Sequence, residues 1–348
     1  MRVGIEKVVK ETKYLSHSEK FEPSLFLKNS AVNIRTQIIF DTNILNYIHK
    51  AVQKGNKAKC YKDMGLSKLI KGMKKPGISG VILNPYLSLQ EVPEAMVEPL
   101  LKSFEAFALK HLSAANWDSN QHPVVNSDDY SLRGYFDIDE TIRRAMSVSY
   151  LSLLILHYVS RLESLTPTEK YEKYLDLVIE YVDVISIKES FIAQLIFAEI
   201  KKGQEQVREI KSSVNRNFMK NSQNKVCKST EQICASALNG AYDLFNANLA
   251  MSQLGSLEST RKTESWIVSN DHKLLRLLTL TPAISNNGDR TNYTGVKELE
   301  GTADDPYWRE TNAYVNKATM ARRKVTQPDY DFIELNIQKI CQLLKMVV

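Results

Sequence analysis

The chain has 348 residues, 43% of them hydrophobic and 25% charged, and carries a net charge of +6 with a pI near 8.9. A chain this long exceeds the usual ~100–200 residues of one domain and has the composition of an ordinary globular protein, so one large domain or two units with a sizeable core are expected; its mild basicity permits a polyanionic partner without requiring one. The composition excludes a membrane span, because the longest apolar run, near 147–159, is too short and carries His157. Residues 1–7 lack an apolar signal-peptide core. Cys60, Cys227, Cys234 and Cys341 match no zinc or redox spacing and read as reduced thiols, which points to the cytoplasm.

Residues 1–35 mix charges without a clear period and read as an arm or an added helix. Residues 36–40 form an apolar, β-branched run that ends in Asp41, and a helix-capable segment follows with Thr42 or Asn43 as its cap. That order holds a carboxylate at the carboxyl end of a strand, where open α/β sheets place their chemistry. The plain alternative is an Asp that begins a turn or caps a helix. Between residues 50 and 75, Lys50, Lys54, Lys57, Lys59, Lys62, Lys68, Lys71, Lys74 and Lys75 face a single acid, Asp63. The cluster, with Lys54, Lys57, Lys59 and Lys62 at its heart, reads as a phosphate-contacting patch, against the alternative of a solvated linker. Tyr47 and Tyr61 are candidates to stack on bases or to lie in the core.

A strand is expected over 78–83, and Asn84-Pro85 starts a helix that carries Glu91 about two turns in, with Glu94 and Glu98 as competitors further along. Residues 113–134 have loop composition, and 138–181 have a helical period broken at Thr166-Pro167, where Thr166 caps the next helix. Residues 182–187 read as a third strand or as the tail of the preceding helix, and 188–202 as a helix. Residues 241–250 are helical, and Asp243 and Asn246, three apart, share a face. Asp disfavours a helix interior, so Asp243 asks for a reason, of which solvation is the plain one. The strand 266–268 runs into Ser269-Asn270-Asp271, and an amphipathic helix begins near His272. Residues 293–299 suggest a last strand, and 305–348 two helices, the second over 332–346.

The ordered set Asp41-Thr42-Asn43, Glu91, Asp243 and Ser269-Asn270-Asp271 resembles a PIN-domain nuclease. The resemblance implies an α/β fold with a parallel sheet flanked by helices. It also implies acidic residues gathered at the strand ends around Mg²⁺ or Mn²⁺, and hydrolysis of phosphodiester bonds, usually of RNA, single-stranded or structured. By position, Asp41 matches the first acid, Glu91 the helical Glu after the second strand, Asp243 the acid on the late helix, and Asp271 the last, with Ser269 as the hydroxyl residue two before it. The matching segments, 36–112 and 178–300, make a discontinuous nuclease domain. Residues 1–35 are then an N-terminal arm, 113–177 a mainly helical insertion and 301–348 a C-terminal helical extension. The chain departs from the family in its length, in the long stretch between the second and third acids, and in the extra residues between Asp243 and Asp271.

Several carboxylates in one place repel and raise one another's pKa, and a hard divalent cation with oxygen ligands removes that penalty. Asp41 and Asp271 are the leading metal ligands in this reading. Asp243 shares a metal or acts through water, and Glu91 binds a second metal or positions the attacking water. Asn43, Ser269 and Asn246 hold the carboxylates. A non-catalytic protein-interaction module on the same scaffold is the main alternative, since the helical additions suit a protein partner or regulator, or a homo-oligomer. A haloacid-dehalogenase-like phosphatase also starts with an Asp after an apolar strand, but it needs a second Asp where this chain has Asn43.

Overall fold

The computed structural model describes residues 13–15, 21–63, 65–113, 115, 129, 131, 133–220, 223–251, 263–281, 283–285, 292–294, 296–322 and 328–348. The chain divides into two compact units, residues 1–133 with 246–275 and residues 134–245 with 276–348. Among the described residues no helix is long and apolar enough to cross a membrane.

The first unit is a helix-flanked sheet. Its elements are β1 (Lys13–Leu15), α1 (Leu25–Ala31), β2 (Arg35–Phe40), α2 (Thr42–Gln53), α3 (Ala58–Asp63), α4 (Ser67–Met73), β3 (Val81–Asn84), α5 (Tyr86–Leu89) and α6 (Glu94–His111). The strand order is β1-β4-β2-β3, with β4 (Thr263–Ser269) contributed by the late segment. β2 runs parallel to β3 and β4, and β1 closes the edge antiparallel to β4. β2 and β4 are central strands because both of their faces are apolar. Ile38, Phe40, Trp266 and Val268 point into the main core, while Ile39 and Ile267 are buried on the opposite side. α2 turns Ile44, Leu45, Ile48 and Ala51 inward and packs on α6, where Phe104 meets Phe40 edge-to-face at 5.1 Å. Burying side chains of this size stabilises by ~1.5–3 kcal/mol each, enough to hold a strand end that carries charge. Pairing Phe40 with Val268 and Ile39 with Asn84 brings the carboxyl ends of three strands to one edge of the sheet.

The second unit is helical. A 3₁₀ turn (Tyr135–Asp137) leads into α7 (Glu140–Ser160), α8 (Pro167–Tyr181), α9 (Ile187–Phe197) and α10 (Glu205–Phe218). The division between units falls within α11 (Thr230–Met251) and α12 (His272–Leu280). A two-stranded ribbon, β5 (Ala283–Ser285) and β6 (Asn292–Thr294), precedes α13 (Pro306–Ala321) and α14 (Tyr330–Val347). α7 is central because Leu151, Leu153, Leu154, Ile155 and Leu156 are all buried, so no face is left for solvent along that turn. α14 packs along it, and Arg143 pairs with Glu334 at 2.7 Å. Thr166 and Glu169 form a reciprocal capping box at the start of α8, with Pro167 in the first turn.

Several expectations change. Residues 182–187 are not a strand. α8 ends there, with Asp183 in the left-handed region at φ 61° and its N–H bonded to Val178 O at 3.1 Å, as a helix C-terminus requires. The helix expected over 188–202 stops at Phe197. Residues 296–299 are not in a strand; β6 ends at Thr294 and pairs with β5 rather than with the main sheet. Residues 21–35 are more than an arm, since Phe21 and Phe26 lie in the core and α1 precedes β2. Residues 1–12 and 16–20, and most of the 113–134 loop, lie outside the described residues. Residues 134–177 of the expected insertion and 301–348 of the expected extension fall in the same compact unit.

Candidate active site

Asp41 follows Phe40 directly and is the N-cap of α2, with its Oδ1 accepting from the Asn43 N–H at 3.4 Å. The capping role expected as the plain alternative is therefore present, and it uses one oxygen of the carboxylate. Asp41 is 7% exposed. Its other oxygen accepts from the Ser269 hydroxyl at the end of β4. The same Ser269 Oγ accepts from the Asp271 N–H at 2.9 Å. One hydroxyl thus links the first and last acids of the set across the β2–β4 pair. Asp271 in turn caps α12, accepting from the Leu274 N–H at 3.1 Å. Burial raises the Asp41 pKa, the Ser269 and Asn43 hydrogen bonds pull it down, and the negative charge of Asp271 pushes it up again.

Glu91 is not on a helix. α5 is a single turn, and Glu91 sits in the bend between it and α6. Pro93 explains the break, because it drives the residue before it out of helical geometry. The half-buried Glu91 carboxylate accepts from the Thr42 hydroxyl and, at 3.1 Å, from Asn246 Nδ2 on α11. Burial first, then the charge of Asp41, lift its pKa to about 8; Thr42 and Asn246 oppose the rise. Glu94 opens α6, and Glu98 pairs with Lys102 one turn on. Asn246 is 3% exposed, and its Oδ1 has no hydrogen-bond partner among the described residues. Asp243 lies one turn earlier on α11, half-buried, and falls in the second unit.

Thr42 and Ser88 were not among the expected site residues. Thr42 Oγ1 lies 3.3 Å from Ser88 O while serving Glu91, and the buried Ser88 hydroxyl donates to Phe40 O. The signal for Thr42 was its place directly after the strand-end Asp; Ser88 had none beyond its position in the turn after β3. Asn43 itself is exposed, and the His272 side chain lies outside the described residues.

Neither Asp41 nor Glu91 pairs with a basic side chain among the described residues. Nor do those residues gather three His, Cys, Asp or Glu side chains into one metal-binding group. The donor set around the two carboxylates is nonetheless all oxygen, and the orphaned Asn246 Oδ1 adds a third kind of hard ligand beside Glu91. That chemistry fits Mg²⁺ or Mn²⁺ and does not fit a soft metal.

The lysines lie on α2, α3, α4 and the turns between them. Lys50, Lys54, Lys57, Lys59, Lys62, Lys68, Lys71 and Lys74 are exposed. Tyr61 is no stacking platform; it is fully buried, packs on Phe107 and His111, and donates to Asn56 Oδ1 at 2.6 Å. Tyr47 is 38% exposed. No family model, curated protein or solved structure matches the chain.

Proposed function

We propose that the chain is a PIN-like, metal-dependent nuclease that hydrolyses phosphodiester bonds, with RNA as the preferred substrate. The observation that carries the reading is a pair of acids, Asp41 and Glu91, at the carboxyl edge of a parallel sheet, with no basic partner among the described residues and an orphaned amide oxygen beside them. Desolvated carboxylates without a counter-charge oppose folding, so their presence together calls for a cation.

In this proposal Asp41, Glu91 and the Asn246 carbonyl hold Mg²⁺ or Mn²⁺, with Asp271 joining from the β4 end. The ion, when bound, supplies an activated water and charge neutralisation at the phosphate. Ser269 keeps Asp41 oriented and favours its ionised form. Thr42 and Asn246 fix both oxygens of Glu91. Burial and the charge of Asp41 raise the Glu91 pKa in the metal-free protein, and beside a bound ion the carboxylate would position the attacking water. The exposed lysines of α2, α3 and α4, with Lys54, Lys57, Lys59 and Lys62 central, contact the phosphates of bound nucleic acid. A cytoplasmic location belongs to the same proposal.

Incubation with single-stranded RNA, duplex RNA and DNA, with and without Mn²⁺, tests it. Cleavage that requires Mn²⁺ and disappears in Asp41→Asn is the expected result. The absence of a gathered group of three acids among the described residues favours a second reading, a non-catalytic interaction module. Thermal stability against added Mg²⁺ or Mn²⁺ separates the two, because a ligand that binds only the folded state stabilises it and an inert module gains nothing.

A further inference from the structure

The second unit contains a cavity of about 710 Å³ between α8, α9, α13 and the segment 296–303. Small-ligand sites occupy ~300–1,000 Å³. Four of the side chains lining it are almost fully buried: Tyr171 is 1% exposed, Phe191 3%, Gln194 4% and Trp308 4%. Gln194 and Tyr171 each carry a polar atom with no hydrogen-bond partner among the described residues.

Gln194 is the first. Thr311 gives its hydroxyl proton to Tyr307 O at 2.7 Å, so toward Gln194 it can only accept. Gln194 therefore presents Nε2 to Thr311 Oγ1 at 2.7 Å and to Asn312 Oδ1 at 2.9 Å. Both amide protons are spent, and Oε1 is left as an acceptor with no partner among the described residues. Tyr171 is the second. Its hydroxyl has no hydrogen-bond partner among the described residues, and burial raises its pKa, so it stays a neutral donor. Neither atom is sealed from solvent, so both face the cavity, where a ligand can take the place of water. Phe191 and Trp308 give flat apolar walls. At the mouth, Lys297 and Arg309 are exposed and pair with no acid among the described residues, while Glu298 is the acid that lines it.

We propose that this cavity binds a nucleoside monophosphate. The base lies among Phe191 and Trp308, donates an N–H to Gln194 Oε1 and accepts from the Tyr171 hydroxyl, and the phosphate meets Lys297 and Arg309. A planar ring bearing both a donor and an acceptor, joined to an anion, complements all of these groups at once. A plain hydrocarbon leaves Tyr171 and Gln194 unmet, and an inorganic anion leaves the walls empty. The site is independent of the acidic group in the first unit.

Calorimetry on the full chain in EDTA, with AMP, GMP, CMP and UMP as probes, tests the proposal; the nucleoside of the best binder and inorganic phosphate are the control arms. At least one nucleotide should bind saturably, one per chain, and each control arm should bind at least about tenfold more weakly. Tyr171→Phe should weaken binding about three- to tenfold, as loss of one hydrogen bond does. The double variant Lys297→Ser, Arg309→Ser, confined to exposed positions, should weaken it about tenfold or more and flatten its salt dependence while keeping the parent's circular dichroism. Asp41→Asn should bind as the parent does. The proposal is overturned by no saturable binding of any of the four nucleotides, by affinity unchanged in both cavity variants, or by loss of binding in Asp41→Asn.

Discussion

Replacing Glu91 with Gln should stabilise the metal-free protein at about pH 9 and leave it nearly unchanged at about pH 4, below the ordinary range of carboxylate titration. The side chain keeps its shape and its contacts. Asn246 Nδ2 still donates to the amide oxygen, and Thr42, which lies 3.3 Å from Ser88 O, can turn its proton there and accept from the new amide. The sign follows from proton binding. Below the ordinary pKa of 4.5, Glu91 is neutral in both the folded and unfolded chain. Between 4.5 and about 8 the unfolded chain has released its proton and the folded chain has not, so stability falls as pH rises. Above about 8 the penalty is complete and constant. A rise from 4.5 to about 8 corresponds to ~5 kcal/mol at ~1.36 kcal/mol per unit. Partial exposure lets water screen the charge, so we expect about 1–3 kcal/mol to be realised. That is a Tm difference of several degrees for a folding unit of this size, at ~2–4 °C per kcal/mol. Thermal scans in EDTA across the pH range read it directly. A difference between the two proteins that does not grow with pH refutes the reasoning. Mn²⁺ at alkaline pH should shrink the difference by stabilising the parent selectively.

Asp41→Asn should abolish Mn²⁺-dependent cleavage by orders of magnitude while retaining the fold by circular dichroism, and a surface control, Asp137→Asn, should cleave as the parent does. Changing Lys54, Lys57, Lys59 and Lys62 together to Ser should weaken RNA binding and lower the slope of log affinity against log salt by up to ~3, with an unchanged slope assigning those lysines to a plain solvated surface. Cys234 on α11 and Cys341 on α14 have sulfurs 3.7 Å apart, so diamide should join them into a disulfide, seen as a loss of two hydrogens in intact mass that Cys341→Ser prevents; failure to cross-link would contradict that packing.

How far each of these residues could be read beforehand depended on how local its signal was. β2 and β4 were legible because an apolar run closed by an acid has one economical arrangement, a central strand ending at the sheet edge. The cap of α8 was legible because Thr166 and Glu169 satisfy one another within four residues. Residues 182–187 misled because Val182, Val184 and Ile185 look like a strand, and only the left-handed backbone of Asp183 shows a helix end instead. β1 is three residues long and is held by its pairing with β4, which is some 250 positions away and leaves no trace in local pattern. The helix expected to carry Glu91 is cut short before it, and Pro93 two residues on is the local signal in the sequence that opposes it. Tyr61 gave no local sign of burial, because its partners Phe107 and His111 come from α6.

The difference between the strand-end aspartates and Glu91 has a physical origin. Asp41 and Asp271 stand at the N-termini of α2 and α12, where backbone N–H groups and the positive end of the helix favour a negative charge. Capping therefore makes it easier to bury an acid at a strand end, and it leaves carboxylate lone pairs for other work. Glu91 has no helix N-terminus beneath it; its donors are one hydroxyl and one amide, and Asp41 stands near enough to raise its pKa. Burial raises the pKa of Asp41 as well as that of Glu91, so the strain of the acidic group falls on both carboxylates, one at a strand end and one in the short turn between α5 and α6. A bound cation should relieve both, so metal should stabilise the protein more at alkaline than at acid pH, and Glu91→Gln should reduce that gain.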